Sequence, residues 1–351
     1  MKKILLSLAA VAMLAACSKE ETLVQQAPDA IGFDTFVDNA TRSVNDPSLT
    51  SSTLADFAVF GYVEGAVLFD GTKVANTGIT NGDLTSVWKY EGTQYWITGA
   101  LYNFNAVAPL TGGNWTVVEK DASDAVVTNA AQTTVSFINN GTTDLLYAYT
   151  PSIEGKADDN DMVAFTFRHV LSKVKFSFVN NYNATNATIK VKDVKITDAY
   201  KTATATLTAS SVWADQSGDV TLEFGNATDN ESTDAKESAD VAFDYGTTLE
   251  SYKELLMIPG AGPVDVTVEG VDKKAYTVTF DVELYQGEST TAIRTYNHTI
   301  LATFVPEAGY CYDLVATITP ENIDPEHQQE PIEFTVTEFT DWANGGEPAI
   351  N

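Results

Sequence analysis

The sequence predicts an all-β protein built as two antiparallel β-sandwich domains. Three observations carry that expectation. Its short apolar pieces are rich in Thr, Val, Tyr and Phe, whose branched or flat side chains suit a pleated, half-buried surface. Those pieces alternate apolar with polar residues, the period of two that turns one strand face toward a core. Behind residue 17, apolar residues spaced three and four apart, the mark of an amphipathic helix, are scarce.

Taken in order, the first strand candidate is 31–37 (IGFDTFV), followed by a loop-like stretch through residue 52. Strand-like pieces then fall at 57–63, 67–69, 94–97, 102–108 and 133–137. The piece 165–170 leads into 171–179, where Ser172, Val174, Phe176 and Phe178 share one parity. A half-buried strand there buries Val174, Phe176 and Phe178 together. A polar interval at 180–187 reads as a junction and divides the chain into domains at 43–183 and 184–351. Further strands are expected at 188–196, 203–207, 220–224, 275–284 and 310–318. The apolar run 255–260 is stopped by Pro259-Gly260, and 264–268 alternates after it. Acidic and small residues at 226–240 suit a surface loop.

The tail is a separate case. Within 331–342, Ile332, Phe334 and Val336 alternate with Glu333, Thr335 and Thr337, giving an extended strand with one apolar face. Such a strand either completes its own domain or enters a groove on a neighbour, offering backbone hydrogen bonds and alternating anchors. Pattern alone leaves both open.

The opposite end carries an address. Lys2 and Lys3 precede a run of apolar residues at 4–16, which closes as Leu14-Ala15-Ala16-Cys17. That run is too short to span a bilayer and reads as an export signal over 1–17. Cys17 at the new terminus supplies the strong nucleophile that acylation needs, as in a bacterial lipoprotein. One acyl chain binds reversibly, so a stable anchor carries several. Residues 18–42 are then a polar tether and the first strand.

Composition excludes several functions. The net charge of −28, from 48 acidic and 20 basic residues, repels nucleic acid. Cys17 and Cys311 are the only cysteines, so lipidation of the first leaves no intramolecular disulfide. Cys311, in a strand-like setting, reads as a buried structural thiol. The 158–161 loop (DDND) lacks the full spacing of a calcium loop. No phosphate-binding glycine loop or Gly-x-Ser-x-Gly elbow occurs, and His169, His298 and His327 are scattered. His169 reads as a satisfied structural side chain. No catalytic residue, metal ligand or cofactor is expected. Trp88, Tyr90, Tyr95, Trp96 and Trp115 serve either core packing or stacking on a carbohydrate or peptide surface.

Together the lipobox, the early Ile31-Gly32-Phe33, Arg42, the FTFRHVLSKV segment at 165–174 and the alternating tail with Trp342 resemble the fimbrillins of the Bacteroidales. The resemblance covers essentially the whole precursor. It implies two β-sandwich domains with Greek-key-like, transthyretin-like connections, and a structural subunit of a surface fimbria. It also implies cleavage at Arg42–Ser43 by an arginine-specific or trypsin-like protease, removing the strand with Ile31, Phe33 and Phe36. A terminal strand of another subunit then fills the groove, with Ile332, Phe334 and Val336 as donor anchors. Partners implied are other fimbrial subunits, in a homopolymer and with minor subunits, the protease, and the outer membrane through the precursor lipid. The acidic residues after Cys17 (Glu20 and Glu21, beside Lys19) resemble the signals that route such lipoproteins to the cell surface. Among the family's roles the chain suits a stalk subunit. The alternative is a non-polymerising surface lipoprotein, or a tip adhesin, that binds carbohydrate or protein.

Overall fold

Period-two patterning produces strands almost throughout the computed structural model. It describes residues 30–37, 48–80, 83–84, 87–118, 133–155, 162–183, 186–207, 211–228, 244–251, 253–323 and 332–339. Cys17, Lys19, Glu20, Glu21, Arg42, Ser43, the 158–161 loop, His327, Trp342 and most of 226–240 lie outside these residues.

In chain order the strands begin with β1 (Phe33–Val37), β2 (Asp56–Val63), β3 (Ala66–Asn76), β4 (Ile79–Thr80), β5 (Asp83–Leu84) and β6 (Trp88–Lys89). Next come β7 (Leu101–Ala108), β8 (Trp115–Val117), β9 (Thr133–Ile138), β10 (Leu146–Glu154), β11 (Val163–His169) and β12 (Ser172–Asn180). The long β13 (Ala187–Leu207) follows, then β14 (Val212–Gly225), β15 (Ala227–Thr228), β16 (Thr248–Ser251) and β17 (Leu255–Met257). The series closes with β18 (Val264–Val268), β19 (Val271–Gln286), β20 (Arg294–Ala302), β21 (Cys311–Ile318) and β22 (Phe334–Phe339). A single helical turn, α1 (Pro320–Ile323), precedes β22.

Three large sheets result. The first runs β1-β11-β10-β7-β2-β3-β6. The second runs β15-β16-β12-β21-β22, with β17 also on β12. The third runs β18-β19-β13-β9-β8, with β14 on β13 and β20 on β19. The chain is thus all-β and sandwich-type. Among the described residues the ladders are antiparallel except for two parallel pairs, β1 with β11 and β12 with β21.

The second and third sheets enclose one core. Val174, Phe176 and Phe178 point into it from β12, as their shared parity requires, and meet Ile189, Val191, Phe280 and Val282. In the first sheet β2 is buried on both faces. Phe57 and Val59 of β2 pack into one core, while Ala58 and Phe60 face Val135, Phe137, Ala203 and Ala205 in another. Double burial explains why 57–63 alternates only loosely: a strand covered on both sides carries apolar residues at both parities.

Sheet membership crosses the division expected after residue 183. β12, on the first side of it, pairs with β21 of the second half, and β9 pairs with the end of β13. The pieces expected at 188–196 and 203–207 are one 21-residue strand, whose start pairs with β19 and whose end pairs with β9. The piece expected at 94–97 is not a strand. It makes an isolated antiparallel bridge, Ala30 with Tyr95.

Asp56 ties the start of β2 to the turn at 110–111. Its carboxylate accepts from Leu110 N at 3.1 Å and Thr111 N at 2.8 Å, and from the Thr111 hydroxyl, and it pairs with Lys73 Nζ at 2.8 Å. Burial opposes its ionisation, but the hydrogen bonds from Lys73 and Thr111 outweigh burial and hold the carboxyl below its ordinary 3.8. A depressed folded pKa contributes stability that is complete above 3.8 and is lost as pH falls through the folded value. Asp56→Asn should therefore cost about 1–3 kcal/mol at neutral pH and flatten the acid limb of stability below pH 3.8. Urea titrations at stepped pH measure both; an unchanged acid limb would contradict the assignment.

Candidate functional site: the slot of the first strand and the terminal strand

β1 lies in a slot. On one side it forms a parallel ladder with β11, pairing Phe33 with Val163 through to Val37 with Phe167. On the other side Ile31 N donates to Gln94 O at 2.9 Å, and Tyr90 donates its hydroxyl to Ile31 O at 2.8 Å. Its far end is held by Ser51, whose hydroxyl accepts from Val37 N at 2.8 Å. β1 also approaches β6, so the first sheet curls until its two edges meet across this strand.

Phe33 occupies the centre of that curl. Its ring stacks on Phe165 at 5.8 Å and meets Phe69, Tyr90, Phe104 and Phe57 edge-on at 5.5, 5.5, 6.0 and 6.3 Å. Such edge and offset arrangements suit the ring quadrupole. The cage closes this tightly because β2 carries Gly61 in the wall: a Cβ there would lie 2.6 Å from the Phe69 ring and 2.9 Å from Phe104. Ile31, Phe33 and Val37 are buried, each contributing about 1.5–3 kcal/mol by apolar burial. Phe36, expected with the removable strand, is half exposed at 50% and points away from the cage; Val37 is the inward residue.

The chain re-enters beyond Arg42 on its own anchor. Leu49 N donates to Asp144 Oδ2 at 2.8 Å, and the same oxygen pairs with His169 Nδ1 at 2.8 Å, both side chains buried. The bonds that hold β1 and those that hold Leu49 are therefore separate, apart from Ser51.

β22 is held less firmly. Among the described residues it pairs with β21 alone, from Phe334 opposite Ala316 to Phe339 opposite Cys311, and forms the edge of the second sheet. Ile332 is buried, while Phe334 and Val336 are half-buried. Phe334 meets Phe176 at 5.5 Å and Phe280 at 6.1 Å. Glu333, Thr335 and Thr337 face solvent.

The other candidates fall into place around these strands. Trp96 is buried, and Trp88 and Tyr90 pack against the Phe33 core, so they serve packing; Tyr95 is exposed and Trp115 packs against the core that holds Val135 and Phe137. Cys311 is buried. Among the described residues no group of His, Cys, Asp and Glu could hold a metal ion, and no helix is long and apolar enough to cross a membrane.

Fold and site define a sandwich-type β protein whose first strand lies in an apolar slot and whose β22 forms a sheet edge. The fimbrillin-like family profile matches residues 41–342, and the chain belongs to that family. It is a fimbrial subunit of the cell surface and not an enzyme. A fimbrial protein from Bacteroides vulgatus shares the fold, at 18% identity over 89% of this chain and 99% of that one, with a TM-score of 0.58. A putative cell adhesion protein from Bacteroides uniformis is 16% identical over 89% and 98%, with a TM-score of 0.44. The fimbrial anchor protein Mfa2 from Porphyromonas gingivalis is 10% identical over 89% and 98%, with a TM-score of 0.38. No curated protein matches the chain.

Proposed function

We propose that this chain is a fimbrial stalk subunit that polymerises by strand exchange after losing its first strand. It is exported as a lipoprotein acylated at Cys17 and cut at Arg42–Ser43 by an arginine-specific or trypsin-like protease at the outer membrane. The cut releases Ile31, Phe33, Phe36 and Val37 together with the lipid. Residues from Leu49 onward keep the Asp144 anchor. The emptied slot then exposes unpaired β11 backbone groups and an aromatic cage, both costly in water. The tail of a second copy satisfies both, with its own minor subunits as further partners.

The observation that carries this reading is a repeated Ile-x-Phe. Ile31-Gly32-Phe33 fills the slot, and Ile332-Glu333-Phe334 opens the tail with the same residues at the same parity. Aligned in that register, the donor runs parallel to β11 as β1 does, with Phe334 in the Phe33 cage and Val336 at the Thr35 position.

Treating purified precursor with trypsin should give a new N terminus at Ser43 and a ladder of multimers that survives mild denaturant. Arg42→Ala should remain uncut at that bond and monomeric; normal polymers from this variant would refute the processing step. Orientation has its own readout. In processed protein, Thr337→Cys should cross-link to Thr166→Cys of the next copy, since Thr166 pairs with Phe36 in the slot. A reversed donor with Phe334 still in the cage would bring Pro331→Cys there instead.

A further inference from the structure

On the opposite face of β11 from the β1 cage, an open cleft of about 850 Å³ lies between the first sheet and the second half of the chain. Phe165 and Phe167 turn toward the cage, while Thr166 and Arg168, at the other parity, line the cleft. Trp213 of β14, Tyr149 of β10 and Tyr310 beside β21 supply aromatic walls, and Gln216 and Glu307 line it from the second half. A cleft of this size, at a junction between two cores and mixing aromatic walls with a few polar groups, has the make-up of a ligand site.

The chemistry of the lining selects the ligand. The Trp213 indole N–H donates to Val170 O at 2.9 Å, and Phe137 braces the ring edge-on at 5.9 Å. Its donor thus taken, the ring offers carbon surface rather than a hydrogen bond. Gln216 Nε2 donates to Pro259 O at 3.4 Å, which leaves its carbonyl oxygen to accept. Arg168 is one of three arginines in a chain of net charge −28. It is exposed, and among the described residues its guanidinium has no hydrogen-bond or ion-pair partner. A planar guanidinium binds a carboxylate through two parallel hydrogen bonds. The exposed Glu307 carboxylate lines the same cleft and accepts hydroxyl donors. Aromatic faces, a guanidinium and acceptors for hydroxyls together match a pyranose that bears a carboxylate.

We propose that this cleft binds acidic glycans, taking the sugar carboxylate on Arg168 and stacking the ring on the Trp213 and Tyr149 side. The site uses β11, β14 and the 307–310 loop, none of which leaves with β1, so it does not depend on strand exchange.

Calorimetric titration of the purified chain tests this with 3′-sialyllactose, trigalacturonic acid and a hyaluronan tetrasaccharide, against lactose as the uncharged comparator. At least one acidic oligosaccharide should bind at least tenfold more tightly than lactose. Arg168→Gln should lose at least tenfold of that affinity at an unchanged melting temperature, and Arg168→Lys should recover part of it. Because Arg168 is exposed, neither variant removes core packing. The proposal is overturned if none of the three binds, if lactose binds equally well, or if Arg168→Gln binds as the parent does. Equal competition by inorganic phosphate would also overturn it, since that marks a general anion site.

Discussion

Phe33→Ala should destabilise the uncut chain by about 3–5 kcal/mol and leave the processed protein unchanged. The cost in the precursor follows from the cage: the ring is buried and touches Phe57, Phe69, Tyr90, Phe104 and Phe165, so its loss leaves a cavity that rigid aromatic walls cannot close. The second half of the prediction comes from the proposed cut, which removes residue 33 altogether. Urea titrations of parent and variant before and after trypsin measure the two states. A variant whose penalty persists after cleavage would mean that β1 stays bound, and strand replacement would then be wrong. An additional check uses Gly61→Ala, which crowds Phe69 and Phe104 within the same wall. It should weaken both precursor and polymer, because β2 remains in each.

Phe334→Asp should abolish multimers while the uncut monomer still folds. In the monomer, Phe334 is half-buried at the edge of the second sheet, and its loss there costs about 1–3 kcal/mol. In the slot of a neighbour the same position would place an unpaired carboxylate among aromatic rings. That burial costs several kcal/mol with no compensating partner. The variant keeps an intact slot, so mixing it with parent protein should also shorten the ladder by capping chain ends. Size-exclusion chromatography and denaturing gels read both effects. Glu333→Gln, which alters only the exposed face, should polymerise as the parent does. Ladders of normal length from Phe334→Asp would remove the tail from the assembly mechanism.

Much of this was legible in the sequence, for reasons that differ by residue. Val174, Phe176 and Phe178 share a parity, and one buried face is all that their pattern requires. The same rule applied to Ile31 and Phe33 selects Val37, since 31, 33 and 37 share a face. Phe36 is the larger side chain, but parity, not size, governs which face a strand residue occupies. The tail's apolar face was equally plain, because Ile332, Phe334 and Val336 alternate without a break. The paired Ile-x-Phe was also present in the sequence, but only the cage around Phe33 gives it meaning.

Other features had no local signal. Nothing near Gln94 announces that it will cap Ile31 across 62 intervening positions in place of forming a strand. Leu49 meets Asp144 only because β10 and β11 bring that carboxylate beneath it. β13 continues past residue 196 because β19, β14 and β9 each pair with part of it, and no one stretch of sequence contains that fact. Tyr149, Arg168, Trp213 and Tyr310 come from four separate segments and share a cleft only once both halves have folded. The aromatic group at 88–96, adjacent in sequence, instead went largely into packing.

The sequence by itself determined that the chain is all-β, which faces of its strands are apolar, and that both ends carry an alternating strand. Those properties follow from the side-chain period, which neighbouring residues encode directly. The tertiary structure alone decided that β1 lies between β11 and Gln94 with Phe33 at the centre of an aromatic cage, while β22 rests on one ladder. Pairing partners and sheet curvature depend on contacts between distant residues, and a local pattern cannot specify them.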